Sequence, residues 1–230
     1  MLIPFLGTTL GSMMVFLMRG AINKRLNYAL MASSGGIMLA SAIFSLLLPA
    51  LESNNGTIYA SIGFGLGILL FAFLDIFILK NKKQFGLAVT IHNFPEGLAI
   101  GVAIGGAMLE VPMLSYAAVL SLAIGIAIQN FPEGAVIALP RYYIDGYSKK
   151  KAFLAGVLSG AVEPLGSLLA LLFVSFISAT LPLFLSFAAG AMMYVIFSEI
   201  IADFGNDKLV SYIAFTGGFI LMMLLDVILG

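Results

Sequence analysis

Long apolar segments make up most of this chain, and each ends at charged or turn-forming residues. A membrane-crossing helix needs about 20 apolar residues, and eight segments approach or exceed that length: 3–18, 29–50, 58–79, 86–108, 113–138, 152–177, 181–203 and 209–229. The connections are short, so we expect one transmembrane domain over residues 1–230 without an inserted soluble domain. The first segment has no basic leader or small-residue cleavage site and is predicted to be a span, not a cleaved signal.

The composition supports a membrane protein. Of the 230 residues, 61% are hydrophobic and 10% are charged, whereas about a quarter are charged in a soluble domain. The predicted fold class is therefore an all-α polytopic membrane protein with eight transmembrane helices. The chain has no cysteine, which excludes both disulfide bonds and thiolate metal ligands.

The basic residues predict the orientation in the membrane. All eleven fall in the connections after the first, third, fifth and seventh segments: Arg19, Lys24, Arg25, Lys80, Lys82, Lys83, Arg141, Lys149, Lys150, Lys151 and Lys208. Eight alternating spans place them on one face, which the positive-inside rule makes cytoplasmic. We expect a plasma membrane (prokaryotic inner membrane) protein with both termini outside. Loops this short do not suggest a nucleic-acid surface.

Two near-copies of one polar motif lie inside apolar segments. His92-Asn93-Phe94-Pro95-Glu96-Gly97 in the fourth segment is followed by Gln129-Asn130-Phe131-Pro132-Glu133-Gly134 in the fifth. Carboxylates at membrane depth are costly and indicate a functional site. No basic residue lies at a comparable depth, so these carboxyls either hold a cation or are protonated and hydrogen-bonded to neighbouring backbone. We favour the cation.

The spacing within each motif suits a metal site. His92 and Glu96 are four residues apart, as are Gln129 and Glu133, and so each pair shares one helix face. Asn93 and Asn130 each precede their glutamate by three residues. One imidazole with carboxylates and amides favours a divalent transition metal, whereas calcium and magnesium sites are more often built from oxygen alone. The alternative is that His92 is an ordinary packing residue.

Prolines and glycines accompany the candidate ligands. Pro95 and Pro132 are expected to kink their helices and to leave the carbonyls one turn back without their usual partners. A third carboxylate-proline step, Glu163-Pro164 followed by Gly166, places Glu163 beside the same site, although a single glutamate is weaker support. Gly97, Gly101 and Gly105, and also Gly156 and Gly160, predict close helix contact.

At the level of whole motifs, the chain resembles the ZIP (Zrt-, Irt-like) family of divalent metal transporters. The resemblance covers essentially the whole chain and includes Gly35 to Ala40 and Ser45 to Glu52, which are similar to the second span of the prokaryotic GufA-type branch. It implies inverted three-helix repeats around a central helix pair (3+2+3), usually a homodimer. It also implies metal uptake into the cytoplasm.

The same resemblance implies two adjacent metal positions. The first would use His92, Glu96, Gln129 and Glu133, and the second would use Asn93, Glu96, Asn130, Glu133 and Glu163, with the two motif glutamates bridging. It further implies an outer acidic residue at Glu52 and an inner one at Glu199. The chain departs from many members by having Gln129 in place of histidine, and from some by having Asn130 in place of aspartate. It also lacks a histidine-rich cytoplasmic loop.

The functional prediction is therefore a carrier that takes up divalent transition metals, zinc first, with iron, manganese and cadmium also plausible. The metal is its substrate, and no prosthetic group is expected. The other partners are the lipid bilayer and a second copy of the chain. The alternatives are a metal-selective pore, a membrane metal sensor and an intramembrane metallo-hydrolase. The hydrolase has the least support, because the chain has one histidine and no evident nucleophile pattern, and we predict no enzyme activity.

Overall fold

The computed structural model describes most of the chain: residues 1–18, 23–53, 55–78, 85–111, 114–173, 180–202, 204 and 208–229. For residues 78, 85–92, 199 and 229 it describes the backbone alone. The predicted ligand His92 and the predicted inner acid Glu199 therefore have described backbones, and their side chains lie outside the described residues.

Helices account for nearly all of the described chain. In chain order they are α1 (Leu2–Leu17), α2 (Lys24–Glu52), α3 (Gly56–Ile78), α4 (Phe85–Met108), α5 (Tyr116–Tyr143), α6 (Lys149–Leu172), α7 (Leu181–Ile201) and α8 (Lys208–Leu229). Six of them, α2, α3, α5, α6, α7 and α8, contain stretches long and apolar enough to cross a membrane, among the residues described. The predicted all-helical membrane protein is confirmed, whereas the total of eight crossings remains a prediction.

Three of the helices are irregular along their length. Helix α2 is π-helical over Ser41–Leu47 and α7 is π-helical over Ile196–Ile201. Helix α6 is interrupted at Ala161, between Lys149–Gly160 and Val162–Leu172. Since Pro164 has no N–H to pair with the carbonyl of Gly160, an interruption at this turn is expected. Glu163 consequently lies in the first turn of a new helical segment.

Four helix pairs have the most extensive contacts: α1 with α5, α4 with α6, α2 with α8, and α3 with α7. Helices α2 and α5 also pack together, as do α4 and α7. The largest buried cluster lies where these pairs meet and includes Ile100 of α4, Leu122 and Ile126 of α5, and Met192 of α7. The outer helices expose leucine, isoleucine and phenylalanine side chains, as expected where a helix faces lipid.

Candidate metal centre

The two motif helices meet through their polar side chains. Gln129 Nε2 of α5 donates a hydrogen bond of 2.6 Å to Glu96 Oε1 of α4. Both side chains are fully buried. The carbonyl oxygen of Gln129 and the second carboxyl oxygen of Glu96 have no hydrogen-bond partner among the described residues. The two copies of the motif thus come together inside the protein, at the depth where the carboxylates are shielded from solvent.

Helix α6 adds the third carboxyl. Glu163 Oε1 accepts a hydrogen bond of 2.9 Å from Thr8 Oγ1 of α1 and a longer one of 3.4 Å from Asn93 Nδ2. Asn93 Nδ2 also donates to the carbonyl oxygen of Ser159, at 3.2 Å. Glu163 and Asn93 are both fully buried. Two neighbouring helices, α1 and α4, therefore hold Glu163 in position through one of its two oxygens.

Glu133 is held from a different side. Its Oε1 accepts a hydrogen bond of 3.1 Å from Ser34 Oγ of α2. Glu133 has 8% of its surface exposed, whereas Glu96 and Glu163 have none. The centre therefore lies between α4, α5 and α6, and α1 and α2 supply hydroxyl groups to it.

Five of the seven predicted ligands share one property. Each is fully buried and has an oxygen atom without a hydrogen-bond partner in the described structure: Asn93 Oδ1, Glu96 Oε2, Gln129 Oε1, Asn130 Oδ1 and Glu163 Oε2. Buried acceptors are nearly always paired, and each unpaired one costs about 1–3 kcal/mol. A cation bound among these oxygens would remove that cost.

The charges in the centre have the same implication. Glu133 lies close enough to Glu96 and to Glu163 for their charges to interact. The side chains that donate to Glu96 and Glu163 include Gln129, Thr8 and Asn93, and Asn130 lies beside both carboxyls; all four are neutral. Several carboxylates gathered in a medium of low dielectric repel one another unless a cation or protons neutralise them.

Glycines allow the helices to approach the centre closely. A Cβ atom on Gly97 would collide with the backbone carbonyl of Glu163, and one on Gly134 would collide with the carbonyl of Thr8. Each motif glycine directly follows its glutamate. The close contact predicted at Gly97 is confirmed, and the structure adds a similar contact at Gly134.

No three described histidine, aspartate or glutamate side chains are grouped closely enough to hold one ion by themselves. Amide oxygens, or His92, would have to complete the ligand set. Asn130 lies beside both Glu96 and Glu163, and its Nδ2 points toward the carbonyl of Pro4 at 3.5 Å. Its carbonyl oxygen is therefore one of the available donors to a cation.

Two other acids, Glu52 and Asp75, lie on helices α2 and α3, away from the two motifs. Glu52 lies exposed at the end of α2. Asp75 of α3, an acid within the third predicted span, accepts a hydrogen bond of 2.6 Å from Tyr194 of α7 and so has a structural partner.

The sequence patterns did not identify three polar residues that the structure connects with the centre or its surroundings. Thr8 and Ser34 orient Glu163 and Glu133, and Asp226 of α8 accepts a hydrogen bond of 2.9 Å from Ser45 of α2. Single hydroxyl residues are common in membrane helices, so Thr8 and Ser34 carry no distinctive signal. Asp226 did carry one, because it is an acid within the last apolar segment.

A small cavity of about 140 Å³ lies beside Ser45 and Asp226. It is bounded by the second half of α2, the second half of α4 and the first half of α5. On the predicted orientation, these parts of the helices lie on the outer side of the membrane. The cavity residues are Phe44, Ser45, Pro49, Ala103, Leu114, Ala118, Val119, Leu122 and Asp226.

Comparison with known proteins identifies the family of this chain. The family model described as ZIP zinc transporter matches residues 84–226, a range that contains both motifs and Glu163. The chain belongs to the ZIP family. This family consists of transporters and not of enzymes, and the resemblance inferred from the paired motifs is confirmed.

Individual relatives cover different shares of this ZIP chain. It is 34% identical over 213 residues to the zinc transporter GufA of Myxococcus xanthus, with 81% of each chain covered. It is 34% identical over 258 residues to the zinc transporter ZIPB of Bordetella bronchiseptica, covering 98% of this chain and 79% of the relative. The zinc transporter ZIP11 of Xenopus tropicalis is 49% identical over 147 residues, which are 63% of this chain and 43% of the relative.

Proposed function

We propose that this ZIP chain transports zinc into the cytoplasm across the plasma membrane, through the centre between α4, α5 and α6. The observation that carries the proposal is the set of five buried, unpartnered oxygen atoms on five predicted ligands. The names of the relatives, which are zinc transporters, support zinc as the substrate. Iron, manganese and cadmium remain candidate substrates, because carboxylate and amide ligands also accept these ions.

The ligand set would combine charged and neutral groups. Glu96, Glu133 and Glu163 would supply negative charge, and Asn93, Gln129 and Asn130 would supply amide oxygens. His92 would add an imidazole nitrogen. Two adjacent positions bridged by Glu96 and Glu133 would use all seven residues, as the resemblance implies.

Helix pairing supports an inverted repeat. An inverted repeat would relate α1 to α6, α2 to α7, α3 to α8 and α4 to α5. This exchange converts the α1–α5 pair into the α6–α4 pair. It also converts α2–α8 into α7–α3, and α2–α5 into α7–α4. Each of these pairs is observed, and the two π-helical segments found among the described residues lie in the exchanged helices α2 and α7. Transporters with inverted repeats bind substrate at the repeat interface and alternate access around it.

In the proposed transport cycle, the group of α1, α4, α5 and α6 moves against the group of α2, α3, α7 and α8. Metal would enter through the cavity beside Asp226 and leave past Glu199 and Asp203; residue 203 lies outside the described residues. Glu52 would contribute charge at the outer surface. We also propose that two copies of the chain associate as a homodimer.

The test is metal flux into proteoliposomes. Zinc, cadmium, manganese and iron are offered in turn to the wild type, Glu96→Gln and Glu133→Gln, with Glu110→Gln as a control at an exposed position. Saturable zinc flux is expected in the wild type and the control, and its loss is expected in both centre variants. Wild-type flux in both centre variants would refute the proposal.

The same experiment separates the alternatives. A rapid, non-saturating current would indicate a pore. Zinc binding without flux would indicate a sensor. Absence of zinc binding would mean that protons neutralise the buried carboxyls, which is the alternative that the sequence left open.

A further inference from the structure

Two buried serines lie close to the inner end of the outer cavity. Ser41 of α2 and Ser121 of α5 are both fully buried. The hydroxyl oxygen of each has no hydrogen-bond partner in the described structure. Neither serine belongs to the ligand motifs, and neither lines the cavity.

The contacts between α2 and α5 fix the level of both residues. At one level Ser34 of α2 donates to Glu133 of α5. Further outward, a Cβ atom on Gly125 would lie 3.7 Å from Ile37 Cγ2, and Ser45 lines the cavity together with Leu122. From one of these levels to the next, the residue numbers rise along α2 and fall along α5. The two helices are therefore antiparallel.

Ser41 falls within this interval on α2, whereas Ser121 directly precedes the cavity residue Leu122 on α5 and lies at the level of the inner end of the cavity. Ser41 is one helical turn beyond Ile37, and Ser121 is one turn before Gly125, so both lie on the outer side of the Ile37–Gly125 contact. Along the helix axis Ser41 is about 10 Å from Ser34 and about 6 Å from Ser45. Ser41 therefore lies between the centre and the cavity, and Ser121 lies at the inner end of the cavity.

The surrounding layer is apolar and closely packed. Met38 of α2 and Leu122 and Ile126 of α5 are almost completely buried and belong to the largest core cluster. A hydrated cation would have to exchange water for protein ligands in order to pass this layer. Serine hydroxyls provide oxygen lone pairs for that exchange.

Ordinary helix packing does not account for the two hydroxyls. A serine in a helix commonly donates to the carbonyl one turn back, as the buried Ser186 does to Pro182 O at 2.7 Å. Ser41 and Ser121 do not form this bond. An unpaired buried hydroxyl costs about 1–3 kcal/mol, and alanine would fit the same space without that cost.

We propose that the hydroxyl oxygens of Ser41 and Ser121 are transient ligands, which carry a partly dehydrated divalent cation from the cavity beside Asp226 to the metal centre. The inference rests on the proposed transport function. Neutral oxygens suit this task, because a site on a transport route must bind strongly enough to replace water and weakly enough to release the ion.

Alanine variants test the role of the hydroxyls. Ser41→Ala, Ser121→Ala and the double variant are compared with Ser186→Ala, a buried serine whose hydroxyl is already satisfied. The double variant should lower the maximal zinc uptake rate into proteoliposomes by about tenfold, since it removes two interactions of hydrogen-bond strength. Zinc binding to the purified protein at equilibrium should stay unchanged, as should uptake by the control. Unchanged uptake in the double variant would overturn the proposal.

The absence of native cysteine permits a second measurement that is independent of flux. Ser41→Cys, Ser121→Cys and Ser186→Cys are each exposed to the small cationic thiol reagent 2-aminoethyl methanethiosulfonate. Cysteines on the route should react, and zinc should slow their reaction, whereas the control should stay unmodified. Failure of both route cysteines to react would overturn the proposal. A reaction slowed by zinc would support the role of the serines even if the wild type showed no zinc flux. Absence of flux would count only against the proposed transport function.

Discussion

Each carboxyl of the centre accepts a hydrogen bond at its Oε1 atom. Gln129 donates to Oε1 of Glu96, Thr8 to Oε1 of Glu163, and Ser34 to Oε1 of Glu133. Donors that hold one oxygen orient the other, which is how groups behind a metal ligand tune it. The Oε2 atoms of Glu96 and Glu163 are left without a described partner, and these are the oxygens that we assign to the cation.

Removal of the Thr8 hydroxyl should disturb this arrangement. Thr8→Val keeps the shape of the side chain but leaves Glu163 Oε1 with only the 3.4 Å bond from Asn93. The free energy of unfolding of the metal-free protein should fall by about 1–3 kcal/mol, measured by thermal unfolding in detergent.

The control for Thr8 is Thr216→Val on α8, where the exposed hydroxyl donates to Tyr212 O of its own helix at 2.8 Å. This change should have little effect on stability. Equal unfolding midpoints for Thr8→Val and the wild type would contradict the role assigned to the Thr8 hydroxyl.

The sequence predicted the candidate ligands more readily than the residues that hydrogen-bond to them. Glu96, Gln129 and Glu133 could be predicted because the motif repeats at helical spacing within apolar segments. Thr8 is 155 residues from Glu163, and Ser34 is 99 residues from Glu133. Their contacts depend on helix packing, and a single hydroxyl in a membrane helix gives no pattern that would predict it.

At the scale of helices, small residues decide how closely the ligand-bearing segments meet. Gly97 faces the backbone of Glu163, and Gly101 faces Ser167, whose hydroxyl donates to Gly97 O at 2.8 Å. These contacts join α4 to α6 at the ligands. Small-residue spacing predicted this packing from the sequence, whereas the π-helical turns of α2 and α7 have no comparable sequence signal.

Adding one methyl group at this contact should separate α4 from α6. Gly97→Ala would bring its Cβ against the Glu163 carbonyl, and such overpacking typically costs about 1–3 kcal/mol. We expect a lower unfolding midpoint and weaker zinc binding, measured by thermal unfolding and equilibrium dialysis.

The matched control is Gly65→Ala in the middle of α3, where no atom lies within 4 Å of the added Cβ. Alanine has the better helix propensity, so this change should be neutral or should stabilise the protein by up to about 1 kcal/mol. If both substitutions were equally harmless, close approach at Gly97 would not be what positions Glu163.

At the scale of the whole molecule, helix pairing determines where the centre lies, whereas the charge of the loops predicts which face of the protein is cytoplasmic. The pairing of α1 with α5, α4 with α6 and α2 with α5 brings the candidate ligands together and would do so in either membrane orientation. The direction of transport instead depends on which face is cytoplasmic. All eleven basic residues lie in alternate connections or at the helix ends beside them, which is the basis of the predicted orientation.

Single cysteines can test this orientation, because the chain has none of its own. Leu109→Cys lies in the connection after α4, and Asp145→Cys lies in the connection after α5; both positions are exposed. A membrane-impermeant maleimide added to intact cells should label position 109 and should leave position 145 unlabelled. Both should react after permeabilisation, which controls for accessibility. The reverse labelling pattern would place the basic loops outside and the cavity beside Asp226 on the cytoplasmic face. The cavity would then be an exit, and the proposed direction of zinc transport would have to be inverted.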